Sequence, residues 1–293
     1  MKKTISRLFS VAIIVLATIS FSACSKQKFH VNGAITDAKD SILYFENINL
    51  KGPVVVDSVK LSSDGTFSFS DDRPHGPEIY RLRINDQIIN LAIDSTETVT
   101  FKAKYPTMPT DYTVEGSYDC SKIKELALMQ IALTNKAMAI ETSSELGADA
   151  VRDSLRVILN AYKENVKQNY IFKEPNKAYA YFALFQTLGN YLIFDPQNNR
   201  DDIKVYAAVA TSWDTFYPKC VRGQNLHNIA IEGLKNTRII QARQAQTIDA
   251  SKVSESGTID ISLPDNNGRP RTLSSLKGKV VMLDSHVFHP KES

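Results

Sequence analysis

Apolar and polar residues alternate with a period of two from residue 29 to residue 104, a pattern that predicts short β-strands. Runs at 29–35, 42–45, 54–59, 66–70, 79–84, 88–93 and 98–102 are rich in Val, Ile, Phe and Thr and are separated by turn residues. Ser63, Asp64 and Gly65 stand before the cleanest alternation and read as an Asp-Gly hairpin signal. Seven short strands at this spacing predict a small antiparallel sandwich or barrel.

From Tyr118 the period lengthens to that of a helix. Ile123, Leu126, Leu133 and Ile140 mark one face, ended near Gly147, and Val151, Leu155, Ile158, Leu159, Tyr162 and Val166 mark a second, stopped before Pro175. Residues 178–194 are aromatic-rich and apolar nearly all round, which predicts the buried central helix of a bundle, broken at Asp195 and Pro196. Two more helices fit 203–216 and 226–240, with breaks at Tyr217-Pro218 and Arg222-Gly223. Residues 247–258 are polar and short-chained, as in a linker; then 259–263 reads as a strand, Asn266-Asn267-Gly268 as a hairpin turn and 279–284 as the next strand. The expected class is α+β, with a β-domain over 24–117, a helical domain over 118–246 and a final segment over 259–293.

The N-terminus reads as an export signal. Lys2, Lys3 and Arg7 precede a short apolar run at 11–19, and Phe21-Ser-Ala then leads into Cys24. Small residues before a cysteine form a lipobox, in which that thiol is alkylated by diacylglycerol before cleavage. Phe21 departs from the usual leucine, and the alternative is an uncleaved anchor, for which the apolar run is short. Residues 1–23 are therefore expected to be removed, leaving lipidated Cys24 held to a bilayer by its acyl chains. Ser25, with no acidic residue after the cysteine, favours the periplasmic face of the outer membrane.

Loss of that signal removes three of the 35 basic residues and none of the 32 acidic ones, so the mature side chains balance. The pI of 8.6 belongs mostly to the signal, and nothing electrostatic favours nucleic acid as a partner. Cys120 and Cys220 are the only other cysteines. Their spacing leaves pairing open, and two separate buried thiols is the simpler reading.

Two blocks carry a family resemblance. Val31-Asn-Gly-Ala-Ile35, Val56-Asp-Ser-Val-Lys-Leu61, Asp64-Gly-Thr-Phe-Ser-Phe69 and Val114-Glu-Gly-Ser117 resemble the β-domain catalogued as domain of unknown function 4369. Its members are periplasmic lipoproteins in which this domain and a helical segment precede a thioredoxin-like domain of the ResA/TlpA type. Residues 261–268 and 273–284 are similar to the opening of that domain. The resemblance implies thiol–disulfide chemistry, which needs a nucleophilic thiolate and a resolving thiol. The matching positions here hold Pro290 and Ser293, neither of which forms a disulfide, so the thioredoxin-like start is expected to be truncated and redox-inactive.

The remaining candidates have plainer readings. His286 and His289, beside Asp284, lack the further ligands a metal site needs, so no metal and no cofactor are expected. His227 reads as a surface or packing histidine. Ser274-Ser-Leu-Lys277 and Ser121-Lys-Ile-Lys124 match Ser-x-x-Lys without the supporting triplets, and Gly278-Lys279 lacks the glycines of a phosphate loop. Tyr179, Tyr181, Phe182, Phe185, Tyr191 and Phe194 read as core rather than as a ligand groove. The expected function is a non-catalytic accessory or binding module for an unidentified periplasmic protein or small ligand, with no catalytic residue. The alternative is a fragment of a longer thiol–disulfide oxidoreductase-like lipoprotein, and a third reading is a structural protein of the cell envelope.

Overall fold

The computed structural model describes residues 27–245 and 260–281. They fall into two compact units, one up to Thr237 and one from Arg238. Residues 1–23, Cys24 and the linker at 247–258 lie outside the described residues.

The alternating region folds into eight strands: β1 (Lys28–Thr36), β2 (Ile42–Asn49), β3 (Gly52–Lys60), β4 (Thr66–Asp72), β5 (Glu78–Ile84), β6 (Gln87–Ile93), β7 (Thr98–Lys104) and β8 (Tyr112–Glu115). They form two four-stranded sheets, β4-β1-β7-β8 and β3-β2-β5-β6. Inward residues of both, among them Phe29, Val31, Phe69 and Phe101 against Phe45, Leu82 and Leu91, share one apolar core. Phe45 sits at its centre, stacked 5.3 Å from Phe69 of the other sheet and 5.0 Å from Tyr80. The result is a sandwich of two separate sheets, one of which is not wholly antiparallel, because β1 pairs with β7 in parallel. That pairing follows from chain order, since β1 and β7 are joined by a path through the second sheet rather than by a hairpin.

The Asp64-Gly65 turn is tight, yet it does not close a hairpin. β3 belongs to one sheet and β4 to the other, so this turn carries the chain across the sandwich. Asp64 holds it by accepting bonds from the Ser62 hydroxyl at 2.5 Å and the Thr66 amide at 3.3 Å. Gly65 has φ +66°, and its carbonyl accepts the Ile35 amide at 2.9 Å.

Five helices follow: α1 (Tyr118–Glu141), α2 (Ala148–Val166), α3 (Ala178–Leu184), α4 (Arg200–Phe216) and α5 (Val221–Ala245), with a π-type turn at Lys167–Ile171 after α2. Ser117 caps α1 by accepting the Cys120 amide at 3.4 Å, and α1 buries Ile123, Leu126 and Leu133. Asn199 caps α4 with bonds from the amides of Asp201 and Asp202. Lys163 of α2 meets the buried Asp202 at 2.5 Å and fixes α2 against α4.

The run 178–194 is mostly buried over 178–186 and again at Ile193 and Phe194, but residues 189–192 are exposed, and it is not one helix. α3 stops at Leu184, and a two-residue hairpin of β9 (Thr187–Leu188) and β10 (Tyr191–Leu192) follows. Gly189 at φ +58° makes the turn with Asn190, and the Gln186 carbonyl accepts the Ile193 amide at 2.9 Å. Apolar character all round reported the burial of α3, and the Gly-Asn pair, which turns the chain out to solvent, set its length. Around α3 the helical core gathers Tyr179, Tyr206 and Trp213, with the Tyr181 and Trp213 rings 5.0 Å apart. Trp213 donates to the Pro175 carbonyl at 3.1 Å.

In the second unit, β11 (Ser262–Pro264) and β12 (Pro270–Thr272) form the hairpin expected at Asn266-Asn267-Gly268, followed by a 3₁₀ turn at Leu273–Leu276. Asp265 closes it by accepting the amides of Asn267 and Arg269 at 2.9 and 3.0 Å. Lys279, Val280 and Val281 are not in a strand, and the rest of the 279–284 run lies outside the described residues. No described strand pairs with them, and a strand without a partner leaves its backbone groups to water. Among the described residues no helix is long and apolar enough to cross a membrane.

The Gly65 turn gives a direct test. A Cβ there would lie 1.9 Å from the Ile35 carbonyl oxygen, on a backbone that disfavours side chains. Gly65→Ala is expected to cost about 3 kcal/mol in a urea titration followed by circular dichroism.

Candidate functional site

The sheet β3-β2-β5-β6 has an outer face as well as an inner one, and alternation decides what stands on it. Strand pairing sets its residues in three rows across β2, β5 and β6. Tyr44, Arg83 and Ile88 form one; Glu46, Arg81 and Asn90 form the next; Ile79 and Ala92 form the third, beyond the end of the β2–β5 pairing, with Ile48 of β2 packed against the same core. The apolar third row packs into the helical core. The middle row is polar, and over it the sheet and helices part.

That gap is a cleft of about 580 Å³, with Arg81 and Asn90 on its floor and Phe182, Phe185, Gln130 and Asn225 among its walls. A second hollow of about 260 Å³ continues beside α1 and shares Asn90 and Gln130 with the first. All of these residues belong to the first compact unit.

Two ion-pair systems shape the floor. Glu46, only 3% exposed, accepts Arg81 Nε at 2.5 Å and Arg83 Nη2 at 2.6 Å. Hydrogen bonding from Arg83, with that from Arg81, holds the Glu46 carboxyl below its ordinary pKa despite its burial. Arg83 also lies 4.6 Å over the Tyr44 ring. At the other end Arg222 of α5, 4% exposed, donates to Glu78 Oε2 at 2.9 and 2.7 Å and to the Ile48 carbonyl. Arg222 thus ties α5 to β2 and β5.

A chain of carboxamides builds the helical wall. Tyr162 donates to Gln186 Oε1 at 2.7 Å, and Gln186 Nε2 donates to the Leu126 carbonyl at 3.0 Å and to Gln130 Oε1 at 3.2 Å. Gln130 in turn donates to the Thr187 carbonyl at 2.8 Å. Each of these amides is spent on the fold. By contrast, among the described residues the terminal nitrogens of Arg81 and the side-chain amides of Asn90 and Asn225 make no hydrogen bond within the chain. Those are the groups left to meet a ligand.

The sequence-based candidates fall elsewhere. Cys24, Asp284, His286, His289, Pro290 and Ser293 lie outside the described residues. Cys120 and Cys220 are separate, buried free thiols. Cys120 donates to the Ala92 carbonyl at 3.2 Å, and burial pushes its thiol up to about 12. His227 is exposed, 3.0 Å from Asp214. The hydroxyls of Ser121 and Ser274 donate to the Ser117 carbonyl and to Asp260, not to a lysine. The aromatic cluster divides: Tyr179 and Phe194 are core, Tyr191 is exposed, and Phe182 and Phe185 line the cleft while packing on the core. Sequence reasoning missed Arg81, Asn90, Gln130 and Arg222. The one available signal for the floor was the Arg-x-Arg spacing at 81 and 83, which puts both guanidiniums on one face of a strand.

Residues 29–121 match the family model described as Domain of unknown function (DUF4369). No curated protein matches the chain. The matched segment holds the whole sandwich and the floor of the cleft, and it ends in the first turn of α1.

That first turn carries Asp119, whose side chain is 8% exposed and whose Oδ1 has no hydrogen-bond partner. Burial, with help from Asp94 and Glu174 against the Lys177 ammonium, pushes its carboxyl from 3.8 up to about 6. The folded protein therefore holds this proton more tightly than the unfolded chain does. The stability Asp119 contributes is complete below about pH 4 and lost as pH rises through about 6, a change of about 3 kcal/mol. Asp119→Asn is expected to remove that loss, gaining about 3 kcal/mol on the parent between pH 4 and pH 7 in urea titrations. Parallel pH profiles for the two proteins would contradict it.

Proposed function

We propose that this chain is a lipoprotein anchored through Cys24 at the periplasmic face of the outer membrane, where it acts as a non-catalytic binding module. The observation that carries the binding role is the cleft over the Glu46–Arg81–Asn90 row. Its volume of about 580 Å³ falls in the range of small-molecule sites. It combines aromatic walls with convergent polar groups that the fold leaves unspent, which is the composition of a recognition site. Lys2, Lys3, Arg7, the short apolar run and the residues before Cys24 support the anchor.

The Cys120 thiol agrees with a binding role. Exchange chemistry starts from a thiolate, and the buried Cys120 thiol at about 12 stays protonated at neutral pH. The second reading, a part of a longer thiol–disulfide oxidoreductase-like lipoprotein, draws on the β11–β12 hairpin and its 3₁₀ turn, which lie in the segment that resembles the opening of a thioredoxin-like domain.

Two measurements test the proposal. Cells expressing the chain are expected to incorporate radiolabelled palmitate into it, and Cys24→Ala is expected to abolish the label. In an insulin-reduction assay the purified protein is expected to show no turnover above the uncatalysed rate. Turnover that is lost when Cys120 and Cys220 are both replaced by serine would overturn the non-catalytic role.

A further inference from the structure

The charges around the cleft do not balance, and the excess points to a ligand. Glu78 answers Arg222 one to one. Glu46 is shared by two guanidiniums, Arg81 and Arg83, and the Asp86 carboxylate acts on Arg83 as well, while the described side chains lining the cleft include two arginines and no carboxylate. Arg83 faces Tyr44 and does not line the cleft, whereas Arg81 lines it with its terminal nitrogens unbonded among the described residues. A planar guanidinium with one edge fixed on Glu46 and the other open matches a carboxylate that accepts two parallel hydrogen bonds. Beside it Asn90 and Asn225 offer both donors and acceptors, and Phe182, Phe185 and Leu50 offer apolar surface.

Resting on the reading of this cleft as the binding site, we infer that its ligand is a small organic carboxylate with an apolar body, the carboxylate seated on the open edge of Arg81. The amides of Asn90 and Asn225 bond polar groups along the body, and the apolar end lies against Phe182 and Phe185. Glu46 has a positioning role. It holds the guanidinium flat on the sheet, so that little side-chain freedom is lost on binding.

Three probes test this with the full mature chain in calorimetry and saturation-transfer NMR: hexanoate, 3-phenylpropionate and N-acetylphenylalanine, each beside its uncharged primary amide. The acids are expected to bind at least about tenfold more tightly than their amides. Arg81→Gln is expected to remove that preference, and Arg81→Lys to restore part of it, because a lysine keeps the charge without the fork. Arg83→Gln removes the same charge from the same carboxylate outside the cleft and is expected to leave the preference in place. Thermal melts of each variant separate lost binding from lost folding. Acids and amides binding equally, with Arg81→Gln unchanged, would overturn the carboxylate assignment while leaving the cleft as a binding site. Preference lost equally in Arg83→Gln and Arg81→Gln would also overturn it, since a diffuse field would then replace a contact. If no probe, charged or neutral, binds the well-folded protein, the binding reading of the cleft falls with it.

Discussion

A sheet covered on both faces has to answer every charge that its alternation turns inward. In β3-β2-β5-β6 the inner face meets the other sheet and part of the outer face meets the helices, so neither is simply solvated. Glu46 and Glu78 stand on strands of that sheet, and each is met by arginine. Desolvating such charges costs several kcal/mol per ion, which geometry and hydrogen bonds only offset. The pairs therefore contribute less to net stability than to uniqueness. Arg222 can satisfy Glu78 and the Ile48 carbonyl together only with α5 in one place.

The cleft follows from the same constraint. Apolar Ile79 and Ala92, with Ile48 beside the same core, let the helices close on the sheet, while the adjoining Glu46–Arg81–Asn90 row gives them nothing apolar to cover. The helical side is propped by the bonds among Tyr162, Gln186, Gln130 and two backbone carbonyls, a fully satisfied buried network that resists collapse into the gap. A hollow bordered on one side by paired charges and on the other by rigid amides is preorganised, and preorganised sites lose little entropy when they are filled.

Much of the fold could be read from the chain because its signals were periodic. Phe29, Val31 and Ile35 alternate in the sequence and all three are fully buried. Ile123, Leu126 and Leu133 keep helical spacing and line one face of α1. What could not be read was pairing. Nothing in residues 63–65 tells whether the next strand joins the last sheet or crosses to another, and nothing in β1 declares its parallel partner β7. The 178–194 run misled because apolar composition all round masks the period that separates a helix from a hairpin, even where the hairpin is exposed. The cleft was hidden for a related reason. Arg81 and Arg83 look alike on an alternating strand, and only helices packed far along the chain make one of them a lining residue and leave the other outside.

The Cys120 thiol, closed between α1 and β6 on the Ala92 carbonyl, makes a clock of the boundary between the helices and the sheet. A thiol reagent reaches it only when that helix lifts away, so its labelling rate reports the free energy of separating the two layers. Cys220 lies under Gly76, whose added Cβ would come within 3.3 Å of its sulfur, and it keeps time for a different place on the fold. Comparing the two rates under native conditions would reveal whether the sandwich and its helices part as a single cooperative body or peel from one side.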